Sequence, residues 1–458
     1  MHSLAALTPY IPLIVGAALA LALVYARKRV PAALVTLMIT AFVDMVGLLM
    51  VLPLLPFYAK SLGGNGIDVP VGGGQVFHIG IGTVVGFLVV AFTAAQLVSA
   101  PMWGRFSDRF GRRPALLVAL GSSVAGYLIF AFANSLGLLF LSRLVQGAGG
   151  GTVGVIQAYV ADSTRPDQRA KSLGWLSAAT NLGVALGPVL GSWAVTLGEQ
   201  RMPLGGAATL HMGRAAPGLM AALLCLANMG FAWSFLRESR DTGEHRAVTA
   251  AGRKPGTSRD AVARVVTHSA EPASRLIWIY AVAIGAFQGT TSVLALFLAS
   301  KFGVNEKTIG YFFMYVGTLS VVMRAVVLGK AVDKFGEARL TRIGSALMAL
   351  GLATLPLAPT VLWLALPVAL LPIGTALTFP CVTALLSRVI NPGERGLYMG
   401  VQQTFGGLSR VIFPLVLGFA FDHYGRGSPF WISATFVAAT ILLGLGMEGY
   451  TKPKPAVA

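Results

Sequence analysis

The chain has 458 residues, of which 55% are hydrophobic and only 11% are charged, and its formal net charge is +18. A soluble domain carries about 25% charged residues, so this composition excludes a protein that faces water on all sides. The basic balance raises the question of a nucleic-acid partner. We expect none, because the basic residues cluster between apolar segments in a pattern that membrane topology explains.

The first apolar segment, residues 10–26, is followed by the basic run Arg27, Lys28 and Arg29. A cleaved signal peptide carries its charge before the apolar run, so this order argues against one. We predict an extra membrane helix within residues 1–30, with its amino terminus outside. An interfacial helix is the alternative, because the segment is short and contains Pro12.

Twelve further apolar segments follow, each near the ~20 residues that a helix needs to cross a bilayer. They lie at 32–59, 79–103, 114–133, 137–161, 172–197, 215–236, 276–300, 308–329, 343–357, 360–387, 396–421 and 429–447. Helices are expected because lipid offers backbone groups no hydrogen-bond partners, and because the period-2 alternation of a membrane barrel is absent. The sequence predicts an all-α integral membrane protein, with six-helix bundles at 31–237 and 275–458.

The basic residues set the orientation of these segments. If the 104–113 loop is cytoplasmic, the cytoplasmic segments hold 26 of the 35 Lys and Arg residues, and the outer loops hold 6. This asymmetry follows the positive-inside rule and predicts a cytoplasmic carboxyl terminus. Short loops and Ala/Gly-rich helices suggest a bacterial inner membrane. Residues 238–274, rich in Arg, Gly, Ser, Thr and Ala, predict a flexible cytoplasmic linker, in which 261–266 is a candidate for contact with the membrane surface.

The chain contains an internal repeat. The sequence GRFSDRFGRR at 104–113 recurs in fainter form as GKAVDKFG at 329–336, 225 residues later. Residues 169–174 align with 395–400, and Pro188 with Pro414, at an offset of 226. Three matches at nearly one offset indicate duplication. Two similar membrane bundles in tandem are typical of secondary transporters, whose binding site lies between the halves.

The 104–113 loop resembles the loop 2–3 signature of the major facilitator superfamily, G-x-x-x-D-R-x-G-R-R. Glycines there permit a tight turn, and an aspartate among arginines can pair with cations or cap a helix end. The resemblance implies a latch on the cytoplasmic side in the outward-open state. The residues implied are Gly104, Asp108, Arg109, Gly111 and Arg112, with Asp333 in the second copy. The alternative is that the arginines only set topology.

Two further motifs resemble the same family. Arg143, Gln146 and Gly147 in the fourth span match the R-x-x-Q-G signature of proton-coupled members. An arginine in hydrocarbon costs at least ~2.5 kcal/mol unless it meets a cavity or a partner, so it is retained for a reason. The alternative role is structural, with the guanidinium bonded to helix carbonyls.

The fifth span carries G-x-x-x-G-P-x-x-G, a signature that the family associates with exporters. Its residues are Gly183, Gly187, Pro188 and Gly191. Small residues at this spacing line one helix face and permit close contact with a neighbouring helix. The proline removes a backbone hydrogen bond and bends the helix. We predict that this helix is a bending, close-packed element of the moving interface.

Asp44 lies about twelve residues into the first span, close to mid-membrane. A carboxyl group there loses hydration, which favours its protonated form and suits a proton carrier. Asp44 followed by a Pro-rich turn resembles the first helix of tetracycline and multidrug proton antiporters. We predict that Asp44 carries the proton and that Arg143 tunes it. The alternative is a fixed ion pair between Asp44 and Arg143 that does not titrate.

The second half departs from the tetracycline exporters, which carry a histidine in helix 8 and an aspartate in helix 9. The eighth span here has no histidine and the ninth no acid, which puts tetracycline itself in doubt. The eighth span instead has Arg324 and the eleventh Arg410. With Asp44 as the only acid well inside spans 1–12, three arginines would make a shared cavity positive and favour anionic or zwitterionic ligands. Arg324 could instead reach the cytoplasmic interface.

Polar and aromatic residues inside the spans are candidates for a binding pocket, although each also fits helix packing. The predicted substrate-binding residues are Gln96, Gln288, Tyr311, Tyr315, Gln402, Gln403 and Arg410. Gln403 and Arg410 are seven residues apart and therefore share a helix face.

The sequence predicts a proton-coupled exporter of small organic solutes that works by alternating access. Its expected partners are a small-molecule substrate, protons and the lipid bilayer, and we expect a monomer without metal, cofactor or enzymatic activity. A nucleotide-binding loop of the G-x-x-x-x-G-K-[ST] type is absent from the sequence, which excludes an ATP-driven pump. The alternatives are an importer or facilitator of organic anions, and a membrane partner or sensor that has lost transport.

Overall fold

The computed structural model describes residues 32–72, 75–164, 168–200, 202–205, 208–210, 212–236, 238, 258–391 and 394–450. The predicted amino-terminal helix at residues 10–26 lies outside this range, as does nearly all of the linker before residue 258.

The described chain is helical apart from two short hairpins. In chain order its elements are α1 Ala32–Val51, α2 Leu55–Gly63, β1 Gly66–Gly72, β2 Gln75–Gly80, α3 Ile81–Phe110, α4 Arg112–Ala131, α5 Leu136–Ala148, α6 Thr152–Ser163, α7 Arg169–Glu199, β3 Met202–Gly205, β4 Ala208–Leu210, α8 Ala216–Phe235, α9 Ser258–Thr267, α10 Pro272–Phe302, α11 Ile309–Val322, α12 Leu328–Phe335, α13 Glu337–Thr354, α14 Val361–Val389, α15 Arg395–His423 and α16 Ser428–Leu443.

Within the described residues, eleven helical stretches are long and apolar enough to cross a membrane, and α16 is a shorter apolar helix. The predicted all-helical membrane fold is therefore confirmed. Several spans differ in detail from their predicted limits. The ninth span, α13, begins at Glu337, six residues before its first predicted residue. The sequence did not predict the two antiparallel hairpins, β1–β2 and β3–β4.

Two spans contain irregular backbone. The fourth is divided between α5 and α6 at three consecutive glycines, Gly149, Gly150 and Gly151, which disfavour helix. The eighth is interrupted between α11 and α12 by a π-helical segment, Met323–Val327, which contains Arg324. Such segments occur often at functional sites.

The described residues form two compact units. One draws on Met1–Gly63, Ala95–Thr242 and Val304–Gly317, and the other on Gly64–Ala94, Gly243–Gly303 and Thr318–Ala458. Two of the unit boundaries fall inside helices, one in α3 and one in α11. The predicted bundles at 31–237 and 275–458 remain a prediction, because compactness alone does not define the repeat.

In the first unit, α7 packs closely on α1 through its glycines. A methyl group on Gly183 would lie 2.6 Å from the Phe42 carbonyl oxygen, and one on Gly191 would lie 2.2 Å from the Met50 carbonyl oxygen. Only glycine allows the backbones to approach this closely. In the second unit, Gly344 of α13 and Gly374 of α14 meet in the same way.

The linker contains a helix that packs on the second unit. Ala261 and Val265 of α9 are buried in an apolar cluster with Ile277 of α10 and Tyr398 of α15. The stretch 261–266, predicted as a candidate for the membrane surface, therefore buries one face against protein. A period of four residues between Ala261 and Val265 produces that face.

Candidate functional site

The Asp44 carboxylate is buried inside the first unit. Its Oδ2 atom accepts a hydrogen bond of 2.7 Å from the Thr152 hydroxyl, and Asp44 is 7% exposed. Thr152 is the first residue of α6, so the break in the fourth span places this hydroxyl opposite the acid. No cation pairs with Asp44 among the described residues. Thr152 was not identified from the sequence, in which the three glycines that precede it were the available signal of a break in the helix.

Side chains from α3 stabilise the break in the fourth span. Gln96 donates to the Gly150 carbonyl at 3.1 Å, and the Trp103 indole donates to the Ala148 carbonyl at 2.7 Å. These bonds satisfy carbonyls that an uninterrupted helix would use itself. Gln96, predicted to bind substrate, has this structural contact in the first unit, and its role in binding remains a prediction.

The Arg143 guanidinium is 1% exposed, which makes it one of the largest fully buried side chains among the described residues. It lies over the Phe130 ring, 5.6 Å from the ring centroid. Within the described part of the chain, none of its three nitrogens has a hydrogen-bond partner, and neither amide atom of Gln146 has one. The alternative of a direct Asp44–Arg143 ion pair therefore finds no support there. A buried cation without partners requires water, a ligand or a rearrangement to satisfy it.

Tyr127 of α4 packs next to the helix that carries Asp44. A methyl group on Gly47 would lie 3.0 Å from the Tyr127 hydroxyl oxygen, so the glycine makes room for the phenol one turn after the acid. Asn228 of α8 donates to the Thr40 carbonyl at 3.0 Å, one turn before the acid. The environment of Asp44 is thus polar, buried and built from four helices.

The α7 signature residues surround this region of α1. A methyl group on Gly187 would lie 2.7 Å from Leu49 Cβ, while the Pro188 carbonyl lies 2.6 Å from the position of a methyl group on Gly310. The helix therefore contacts α1 on one side and the start of α11 on the other. A shift of α7 would act directly on the helix that holds Asp44.

The 104–113 loop is organised around Arg112. Its guanidinium donates to Asp162 Oδ2 at 2.8 Å and to Asp108 Oδ1 at 2.7 Å. Gly111 has a φ of +104°, a conformation that favours glycine, and it turns the chain from α3 into α4. Gly104 has open space around it, and Arg109 stacks on Phe110 at 5.3 Å. The ring of contacts joins α3, α4 and α6.

Glu238 was not identified from the sequence. Its carboxylate accepts hydrogen bonds from the backbone N–H groups of Arg112 at 2.8 Å and Arg113 at 3.1 Å. An acid at the start of a helix is favourable because free N–H groups and the helix dipole meet there. The glutamate follows the last residues of α8, so it ties the end of the sixth span to the start of the third.

The second copy of the loop has a different ion pair. Gly336 again has a positive φ of +74°, but the next residue, Glu337, pairs with Arg388 at the end of α14. Asp333 is exposed, and no ion pair or hydrogen bond of its side chain occurs in the described residues. Its role as a latch remains a prediction.

The predicted binding residues of the second unit lie along α15. The Gln403 amide donates to the Tyr280 hydroxyl at 3.4 Å, and Arg410 Nε donates to the Gly406 carbonyl at 3.2 Å. Gly406 fits against the Tyr280 ring, where a methyl group would lie 2.7 Å from a ring carbon. The structure thus brings Gln403 and Tyr280 together, whereas Arg410 bonds to its own helix at Gly406. Tyr280 was not singled out from the sequence.

The other predicted binding residues are more dispersed. Gln402 is fully buried, with its amide oxygen 3.5 Å from the Thr383 hydroxyl, whereas Tyr315 is 40% exposed. Gln288 and Tyr311 are half-buried. Their participation in binding remains a prediction.

The sequence matches the family model described as Major Facilitator Superfamily over residues 37–414 and 325–457. It is 30% identical over 385 residues to the tetracycline resistance protein, class C, of Escherichia coli, covering 84% of this chain and 88% of the relative. It is 27% identical over 432 residues to multidrug resistance protein 2 of Bacillus subtilis (strain 168), covering 92% and 95%.

Two solved structures share the fold. The human organic anion transporter MFSD10 (TETRAN) aligns with a TM-score of 0.64 at 21% identity, over 90% of this chain and 99% of the other. The D-xylose-proton symporter aligns with a TM-score of 0.69 at 16% identity, over 92% and 99%. These identities support the fold alone. Together with the sequence matches, they establish that the chain is a multi-pass membrane protein that belongs to the major facilitator superfamily, with relatives in its drug-antiporter branch.

Proposed function

We propose that this transporter exports small organic solutes in exchange for protons, by alternating access. The observation that carries the proposal is the buried Asp44 carboxylate, which accepts a hydrogen bond from Thr152 and has no cationic partner among the described residues. A buried charge without a counter-ion is costly, and uptake of a proton removes that cost. A group with these properties can bind and release a proton as its surroundings change.

Conformational coupling would pass through the neighbours of Asp44. The glycine face of α7 packs on α1, so movement of α7 changes the space around the acid. Arg143 is buried in the same unit with unsatisfied donors, and a rearrangement that brought its charge nearer to Asp44 would favour the ionised acid. Binding of a proton to Asp44 and the packing of these helices are then thermodynamically coupled.

The direction of transport rests on the relatives. The relatives are named as tetracycline and multidrug resistance proteins, and export is the direction of transport that removes a toxic solute from a cell. The α7 signature, which resembles that of exporters, supports the same direction. We propose location in a bacterial inner membrane, with the carboxyl terminus in the cytoplasm.

Transport of organic anions is a second candidate, favoured by one observation in the second unit. Arg410 uses only its Nε in the described residues, on the Gly406 carbonyl, and no carboxylate pairs with it there. Its terminal nitrogens could bind a carboxylate or phosphate in bidentate fashion. An anionic substrate would satisfy a charge that the protein leaves unpaired.

The test is proton release from the purified transporter in weakly buffered detergent. Tetraphenylphosphonium, chloramphenicol and benzoate would be added in turn as cationic, neutral and anionic probes. We expect release with at least one class, and its loss in Asp44→Asn. The matched control is Asp68→Asn, because Asp68 lies on an outer hairpin with a side chain that is 69% exposed.

The outcomes separate the two candidates. Release that depends on Asp44 supports antiport and names the charge class of the substrate. Measurable binding of benzoate that is lost in Arg410→Gln, without release of protons, supports an anion facilitator. Release that persists in Asp44→Asn would show that another group carries the proton.

A further inference from the structure

A groove opens where three elements of the second unit end together. It has a volume of about 610 Å³ and is lined by Ser269, Ala270, Arg275, Trp278, Leu442 and Leu443. These residues come from the turn after α9, the first turns of α10, and the last residues of α16. Its size lies within the range of about 300–1,000 Å³ typical of small-molecule sites. Its lining includes neither Asp44 nor Arg410, Gln403 and Tyr280.

The floor of the groove is held in place by specific contacts. The Trp278 indole donates to the Val265 carbonyl of α9 at 3.4 Å, and its ring packs edge-on against Phe405 at 5.2 Å. Arg275 donates to the Leu445 carbonyl just after α16. Because Ala261 and Val265 are buried, α9 is fixed against the unit and holds the turn that carries Ser269 and Ala270. The groove is therefore part of the fold.

The charges around the groove are unequal. Glu271 would oppose an anion, but Arg264 binds it through hydrogen bonds of 3.0 to 3.3 Å. That contact also lowers the pKa of Glu271, so the carboxylate stays charged and occupied by Arg264. Arg275 uses one nitrogen on a carbonyl, and no carboxylate pairs with it in the described residues. The lining itself thus carries one positive charge and no negative one.

Apart from Arg275 and Ser269 the lining is apolar, with Ala270 and Leu442 exposed and Trp278 and Leu443 half-buried. Leu442 is 68% exposed, and beside the groove Leu445 is 47% and Val266 58% exposed. The α10 and α16 ends belong to the side that the positive-inside rule assigns to the cytoplasm. A tryptophan and an arginine at this depth are typical of the boundary between acyl chains and headgroups.

We infer that this groove binds an anionic phospholipid, with its phosphate on Arg275 and Ser269 and an acyl chain along Leu442, Leu443 and Trp278. Charge complementarity favours an anionic headgroup, because the lining holds a cation without an opposing acid. The apolar lining favours a lipid over a free phosphate ion, because a phosphate ion has no apolar group that could contact it. A bound lipid would stabilise the contact between α9 and the ends of α10 and α16.

The test uses the full-length transporter, delipidated in a non-ionic detergent. Dihexanoyl phosphatidylglycerol, dihexanoyl phosphatidylcholine and inorganic phosphate would be titrated separately, with bound ligand counted by native mass spectrometry. We expect one saturable phosphatidylglycerol that phosphatidylcholine and phosphate do not displace at equal concentration. Arg275→Gln should weaken its binding about fivefold, the contribution of one cationic side chain near an anionic lipid surface.

A second variant guards against loss of the Arg275 contact to Leu445. Leu442→Glu leaves that arginine in place and puts a carboxylate into the acyl-chain part of the groove, so it should also weaken binding of phosphatidylglycerol. The matched controls are Arg339→Gln, exposed on α13, and Leu362→Glu, where Leu362 is 84% exposed on α14. Neither control should change binding.

Each result decides the inference. Selective binding of phosphatidylglycerol that both groove variants weaken would support it. Equal binding of the two lipids, equal competition by phosphate alone, or unchanged binding in both groove variants would overturn it.

Discussion

The two halves of the chain hold an ion pair at matching positions with the charges reversed. In the first half Arg112, at the start of α4, pairs with Asp162 near the end of α6. In the second half Glu337, at the start of α13, pairs with Arg388 at the end of α14. Glu337 lies 225 residues after Arg112, and Arg388 lies 226 residues after Asp162.

The close helix contacts are the same in the two copies of the repeat, whereas the charges of the ion pair are reversed. A methyl group on Gly86 would lie 2.5 Å from the Pro414 carbonyl oxygen, and one on Gly310 would lie 2.6 Å from the Pro188 carbonyl oxygen. Gly310 follows Gly86 by 224 residues, close to the offset of the repeat. The duplicated fold thus requires a close backbone contact between glycine and proline, and an ion pair at the loop. Either partner of that ion pair can carry the positive charge. Backbone approach depends on atom size, whereas an ion pair can be inverted without a change of shape.

Reversal of one charge in the first half should have the largest effect. In Asp162→Arg, two guanidinium groups face each other at a site where the original side chains are only 16% and 17% exposed. We expect a loss of about 3 kcal/mol or more, the usual cost of breaking a buried pair. Urea unfolding in detergent micelles would measure it.

The paired exchange of charges makes that experiment decisive. Arg112→Glu combined with Asp162→Arg copies the polarity of the second half and should recover most of the lost stability. Glu337→Arg with Arg388→Glu is the reciprocal control. If the double variant is no more stable than Asp162→Arg alone, the interpretation that polarity is free is wrong.

The two close glycine contacts, each of which joins a residue of one half of the chain to a residue of the other, should respond equally. Gly86→Ala and Gly310→Ala each force a methyl group against a proline carbonyl, so each should lose about 1–3 kcal/mol, as overpacked sites do. The controls are Gly174→Ala and Gly400→Ala, which occupy matching repeat positions in α7 and α15 and have no atom within 4 Å of the added methyl group. Both controls should be neutral or slightly stabilising, because alanine favours helix. Unequal losses at Gly86 and Gly310 would argue against equivalent packing.

The fold was largely predictable from the sequence, because membrane spans depend on long apolar runs. The details that it missed depend on tertiary contacts. The break at Gly149–Gly151 needs Gln96 and Trp103 to satisfy its carbonyls, and α9 needs a partner surface for Ala261. An apolar period does not reveal which surface will bury it.

The candidate site was predictable only in part. Asp44 and Arg143 stand out because charged residues are rare in apolar spans. Thr152, Glu238 and Asp162 do not, because a hydroxyl or a terminal acid is ordinary in sequence and acquires meaning only from a contact. The pair of Glu337 and Arg388 does not stand out in the sequence, because its charges are reversed. The repeat preserves the positions of the two residues and not the residue types.

The second ion pair should respond asymmetrically to loss of either partner. Arg388 is 43% exposed at its side chain, whereas Glu337 is 6% exposed. Arg388→Gln leaves a buried carboxylate unpaired and should cost about 1–3 kcal/mol, while Glu337→Gln leaves an arginine that water can solvate and should cost less than about 1 kcal/mol. Unfolding of the two single variants under one condition measures the difference, and equal losses would contradict the burial argument.

The smallest effect concerns α9, where the ion pair between Arg264 and Glu271 is exposed and not buried. The hydrogen bonds from Arg264, together with its charge and that of His268, hold the pKa of Glu271 below its usual 4.5. The contribution of the pair to docking of α9 is therefore complete above pH 4.5 and is lost as the pH falls through the lowered value. A nitroxide on Val266→Cys should become slightly more mobile in that window, since Cys225 and Cys381 are buried and take no label. Glu271→Gln should show the mobile spectrum at every pH while His268→Asn still responds to acid. A normal acid response in Glu271→Gln would mean that another group holds the helix in place.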